Sequence, residues 1–144
     1  MFDLRTNTLT AITAAATGAQ SVNDFKSNDY ADAEIQGGKF PITTYVIGVG
    51  DLRIVERKSW SWGYNLVKAE IDILQYTRSI PSASVAEATV DKALSKGLTK
   101  SQLSDADSTL TCELRKSEAF KKIHDNIWRR LWTLEVLALE LTTA

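Results

Sequence analysis

The chain has 144 residues, 44% of them hydrophobic and 24% charged, with 17 basic against 18 acidic side chains and a formal net charge of −1. These figures describe one ordinary soluble domain, able to bury roughly two-thirds of the surface its unfolded form exposes and so needing neither disulfides nor a metal to fold. They exclude a dedicated nucleic-acid binder, which carries a basic excess, and the single cysteine, Cys112, excludes a disulfide-stapled scaffold.

No run approaches the roughly 20 consecutive apolar residues of a membrane helix, so no membrane association is expected. Met1 to Arg5 followed by Leu9 to Ala16 has the outline of a signal peptide. Asp3 sits where the basic region would be, however, and threonines interrupt the apolar part. Synthesis inside the cell and a reduced Cys112 are expected.

Residues 2–17 read as a short amphipathic helix, with Phe2, Leu9, Ile12 and Ala16 on one face and Gly18 as its stop. From Gln20 to Lys39 the composition turns to Asn, Asp, Ser and Gly with scattered apolar residues, which predicts a long polar loop. Strand character begins at Phe40 and runs to Val49, with Pro41 where a strand tolerates a missing donor and Gly48 and Gly50 suggesting a bulge or bend. Leu52 to Trp60 continues as an extended run with no clean apolar face. Asn65 to Arg78 is the clearest strand: Val67, Ala69, Ile71 and Ile73 alternate with Lys68, Glu70 and Asp72, whose face is expected to meet solvent or a polar partner. Ser59-Trp60-Ser61-Trp62-Gly63-Tyr64 would join the two runs as a long antiparallel hairpin.

Ser84 and Glu87 form a capping-box pattern ahead of a helix from about Val85 to Lys96, which Gly97 ends. Thr109 to Arg115 alternates as a half-buried strand. His124-Asp125-Asn126 reads as a turn. Ile127 to Leu141 fits a strand, with Trp132, Leu134, Val136 and Ala138 on one face, or a helix, with Ile127, Leu131, Leu134, Ala138 and Leu141 on one face. The strand is preferred because the turn before it would pair it. The sum is a single α+β domain over 1–144: a mainly antiparallel sheet with a long hairpin, flanked by an N-terminal helix and one central helix.

Candidate chemistry is sparse. His124 has only its sequence neighbour Asp125 as a carboxylate companion, and no second His or Cys lies at ligand spacing. Cys112, between Leu110 and Leu114, reads as a buried inert thiol. Gly48-Val49-Gly50 is not a phosphate loop, because the third glycine of that motif would fall at Arg53. Glu70/Asp72 and Asp105/Asp107 read as solvated charge. No catalytic residue, metal or cofactor is expected.

The unusual feature is surface chemistry. Trp60, Trp62 and Tyr64 alternate near the hairpin tip, where they either serve an interface or cover the core of the same chain. Lys121/Lys122 and Arg129/Arg130 flank the last turn as solvated charge or as inter-subunit salt bridges. The candidate interface residues are Trp60, Trp62, Tyr64, Arg53, Arg57, Glu70, Asp72, Arg129 and Arg130.

The order of elements resembles the tail terminator and related neck proteins of long-tailed bacteriophages. The N-terminal helix, the loop, "FPITTYVIGVG", the long hairpin, "SVAEATVDKALSKG" and "NIWRRLWTLEVLAL" carry that likeness from about Phe2 to Leu141. The tip "WSWGY" and the 20–39 loop have no counterpart in it. The resemblance implies a non-catalytic virion subunit, made in the host cytoplasm. It also implies a homo-oligomeric ring, a hexamer, that ends the tail tube and contacts the head connector, with DNA passing non-specifically through its channel and no cofactor. Two other readings stay open: a monomeric or dimeric adaptor that binds protein through the 59–64 tip, and a small enzyme in which Glu70, Asp72 and His124 converge.

Overall fold

The computed structural model describes residues 3–15, 21–38, 46–60, 63–78, 109–116 and 120–141. In chain order these form α1 (Leu4–Ala15), β1 (Ser21–Asp24), α2 (Asn28–Gln36), β2 (Val46–Ser59), β3 (Tyr64–Thr77), β4 (Thr109–Lys116), β5 (Lys121–His124) and β6 (Ile127–Leu141). The fold is α+β. Its six-stranded sheet has the order β1-β2-β3-β6-β4, with β5 pairing the first residues of β6. Only β1 and β2 pair in parallel, and every other pairing is antiparallel.

β3 is the middle of this sheet, and its alternation explains the layers. Val67, Ala69, Ile71 and Ile73 point to one face. There they meet Ile47 and Val49 of β2, Trp132, Leu134, Val136 and Ala138 of β6, and Leu4, Ala11 and Ile12 of α1. Leu74 and Tyr76 point to the other face and pack with Phe25, Val46, Ile127, and Ala31 and Ile35 of α2. The sheet therefore has helix on both sides.

Several expectations hold. The long hairpin is β2–β3, Thr109 onward is a strand, and 127–141 is a strand paired along β3 from Tyr64↔Leu141 to Thr77↔Trp128. The preceding turn is present, with Asn126 at φ 58°, a left-handed geometry that Asn tolerates. Others need correction. The 20–39 stretch is not a loop but contains β1 and α2. Ser27 caps α2 by accepting the Tyr30 amide at 3.1 Å, Asp29 sits in the first turn where the helix dipole favours it, and Gly37 closes it. The face that α1 buries is Leu4, Thr8, Ala11 and Ile12, with Leu9 at its margin; Phe2 and Ala16 lie outside the described residues. The second described helix is α2, whereas the central helix expected over 85–96 and the Phe40 start of the strand lie outside the described residues.

Gly48 is required by close packing rather than by a bend. A Cβ there would collide with the ring of Phe25, which crosses β2 between the sheet and α2, and with the Asn23 carbonyl of β1. The same ring meets Tyr76 edge-on at 6.0 Å between centroids. Gly48→Ala is expected to destabilise the fold by about 1–3 kcal/mol, the range for overpacking a filled core. Urea unfolding of the two proteins side by side checks this.

Candidate functional site

β2 and β3 are each 14 residues long, well beyond an ordinary strand. Val46 to Gly50 of β2 is buried, and from Leu52 outward every residue of the strand is exposed. The change falls where β1 ends, because β1 pairs only Val46 to Val49. Asn28 at the start of α2 then caps the edge for one more residue, its Oδ1 accepting the Asp51 amide at 3.0 Å. Beyond that point no described strand pairs with this edge of β2. Irregularities between Val49 and Leu52 and between Ile54 and Glu56 interrupt its pairing with β3, and Val55 sits in the second.

Large apolar side chains gather on this outer half. Leu52, Ile54, Val55, Trp60 and Tyr64 are exposed, leaving Tyr30 as the one other large exposed hydrophobic among the described residues. The Trp60 amide donates to the Tyr64 carbonyl at 3.0 Å, and Gly63 turns the chain at φ 77°. Trp60 and Tyr64 thus face each other across the hairpin end, not along one continuous strand. Trp62 lies outside the described residues. On the α1 face, Leu52 and Ile54 border a groove of about 340 Å³ floored by Val67, Ala69, Val136 and Ala138 and rimmed by Asp3 and Glu140.

The polar face of β3 departs most from expectation. Asp72 is not solvated: it is 3% exposed and holds four elements together. Arg53 of β2 grips both its oxygens at 2.8 Å, Asn28 Nδ2 of α2 donates at 2.9 Å, and the Thr133 hydroxyl of β6 donates at 3.3 Å. Burial alone would push this carboxyl up, and the Arg53, Asn28 and Thr133 hydrogen bonds outweigh it, so the group sits below its ordinary value of 3.8. The same pairing raises Arg53, against the burial that opposes it. Glu70 touches Arg53 at 3.4 Å, and Arg57 pairs with Glu140 at 3.0 Å, the arginine of each pair being about half-exposed and the glutamate more covered.

Arg129 and Arg130 lie within β6 and serve this chain's own core. Arg129 pairs with Asp32 of α2 at 2.6 Å, and Asp32 also accepts the Tyr76 hydroxyl at 2.5 Å. Burial first, and Asp32 second, push the Tyr76 phenol far up. Arg130 is fully buried, its guanidinium 4.3 Å from the Trp132 ring centroid and 5.5 Å from that of Phe120. Trp132 in turn donates to Gln75 at 2.7 Å. Neither arginine is a solvated loop charge, as the sequence had suggested.

Glu70, Asp72 and His124 do not converge. Asp72 is opposite Thr133 of β6 while His124 is opposite Ile127, a separation of about 20 Å along the strand. Cys112 is half-buried, and burial pushes its thiol up. Among the described residues no group of three or more His, Cys, Asp or Glu is placed to hold a metal ion, and no helix is long and apolar enough to cross a membrane. Trp60, Tyr64, Arg53, Arg57 and Glu70 lie on or beside the outer hairpin. Asp72 and Arg130 are interior, and Arg129 is partly buried against Asp32. The apolar residues that sequence reasoning missed are Leu52, Ile54 and Val55; their signal was a strand run with no clean face, a sign that neither face is fully covered by the chain itself.

The Asp72 carboxyl is lower in the folded than in the unfolded chain. Its contribution is therefore complete above the ordinary carboxylate range and is lost as pH falls through 3.8 and below. Asp72→Asn is expected to cost about 1–3 kcal/mol at pH 7, and the difference from the parent should narrow toward pH 3. Urea denaturation at both pH values measures it.

No protein-family model matches the chain, and no curated protein matches it. Among solved structures it is similar to a chain from the virion of a native gene transfer agent particle, at 13% identity and TM-score 0.48, covering 70% of this chain and 73% of that one.

Proposed function

We propose that the chain is a non-catalytic structural subunit of a bacteriophage neck or tail. In this reading six copies form a ring that terminates the tail tube and joins it to the head connector, with DNA passing through the channel without sequence reading. The observation that supports it is the outer hairpin: five of the six exposed large apolar side chains among the described residues lie between Leu52 and Tyr64, beside a strand edge with no described partner. A single chain exposing that combination invites association. Trp60 and Tyr64 form the tip of the patch, and Arg53, Arg57 and Glu70 lie behind it. Asp72, Arg129 and Arg130 act by holding the sheet and α2 beneath it.

The alternative is a protein-binding adaptor that uses the 59–64 tip, for which exposed Trp60 is also suited. Native mass across a concentration series, with negative-stain images of the largest species, separates the two. Rings of about six copies are expected under the first reading, and a strict monomer or dimer at every concentration points to the adaptor. Val55→Lys places a charge in the exposed apolar patch at a side chain that does not line the groove over the buried layer. It is expected to weaken assembly at least tenfold while leaving the circular dichroism spectrum and thermal unfolding unchanged.

A further inference from the structure

Ring contacts are heterologous, so the outer hairpin needs a different patch on the next copy. The opposite end of the sheet supplies a candidate. The strand order ends at β4, whose far edge, like the outer half of β2, has no described strand beside it. Such edges carry rows of backbone N–H and C=O groups available to another chain. Directions also match. β2, β3, β6 and β4 alternate in direction along the sheet, so β2 of a second copy laid beside β4 continues the antiparallel order.

Charge then selects a register. Past the irregularity at Ile54/Glu56, β2 pairs regularly with β3, and Glu56 and Lys58 lie on the face of Lys68 and Leu66. On β4, Glu113 and Arg115 lie opposite Glu135 and Thr133, on that same face, the one covered by α2. All four side chains are more than half exposed. Among the described residues Glu56 pairs with Lys58 at 3.7 Å; Glu113 touches Arg115 at 3.3 Å, and Arg115 also reaches Glu135 at 3.2 Å. In an antiparallel pairing, placing Lys58 opposite Glu113 automatically places Glu56 opposite Arg115. One register therefore satisfies both charge pairs, and a shift of two residues in either direction breaks at least one of them. Charged edges normally deter pairing; these deter every partner except a strand of the complementary pattern.

Resting on the ring reading above, we propose that neighbouring copies join by adding the outer half of β2 to the β4 edge of the next subunit. Lys58 then meets Glu113, and Glu56 meets Arg115, across the junction. The occupant of each edge is a second copy of this chain.

Zero-length carbodiimide cross-linking of the full chain, followed by peptide mass spectrometry, tests it. Within one subunit β2 and β4 are separated by β3 and β6, three strand spacings or about 14 Å, too far for a Lys58–Glu113 link. A Lys58–Glu113 cross-link in the assembled species, mixed between heavy and light copies, is the expected result. Lys58→Glu and Glu113→Lys alone should each raise the concentration for half assembly about tenfold, by setting like charges opposite one another. The double variant Lys58→Glu/Glu113→Lys should restore it. Normal thermal unfolding of each variant confirms that these exposed positions leave the fold intact. Rings that form without the cross-link and ignore the single reversals overturn the edge pairing while leaving the ring reading in place. A parent chain that stays monomeric at every concentration overturns both.

Discussion

A carboxylate buried in the middle of a sheet must be paired or it will not stay charged. Asp72 meets that condition through donors from three other elements, Arg53 on β2, Asn28 on α2 and Thr133 on β6. The consequence reaches beyond one ion pair. The same Asn28 whose amide nitrogen binds Asp72 uses its amide oxygen to hold the Asp51 backbone, and the Asn28 backbone amide returns a bond to the Asp51 carboxylate at 3.2 Å. α2 is thereby fixed at the point where β2 loses its partner β1. The boundary between the covered and uncovered halves of the hairpin is set by this cluster.

A second polar set does the same at the middle of α2, where Asp32 receives both the Arg129 guanidinium and the Tyr76 hydroxyl. Alongside the two clusters the apolar contacts of Ala31 and Ile35 with Leu74, Tyr76 and Phe25 supply the burial. Hydrophobic area is non-directional, whereas these bonds have fixed partners. They determine where on the sheet a nine-residue helix comes to rest.

Much of the sheet was legible. Val67, Ala69, Ile71 and Ile73 announced β3 through a period of two, and the turn at Asp125–Asn126 argued for β6 as a strand despite its Leu, Ala and Glu content. What was not legible follows from one omission. The stretch 28–36 carries only Ala31 and Ile35 as buried apolar residues among Asn, Asp and Glu, so its composition matched a loop. The cues available were Ser27 as a cap, the i, i+4 spacing of Ala31 and Ile35, and the Gly37-Gly38 stop. Without that helix, nothing in the sequence covered the second face of β3, and Asp72 was assigned to solvent. Alternation separates two faces but does not say what lies on each. Arg130 was misplaced for a related reason: it is opposite Gln75 of β3, and its burial follows from the pairing of β6 with that distant strand rather than from the local sequence. The outer hairpin was legible only in part, since its aromatics were conspicuous and its aliphatic members Leu52, Ile54 and Val55 were not.

The uneven covering of a 14-residue hairpin has a dynamic consequence. Its strands extend about 46 Å, yet β1 and α2 hold the outer edge of β2 only near its start, while β3 is paired on both edges, with β2 and with β6. Opening free energies should therefore be graded along β2, from values near that of global unfolding at Ile47 to much smaller ones at Arg57. The subunit would behave as a rigid body carrying a compliant rim, able to adjust its outermost strand to a neighbour without disturbing the core that holds it.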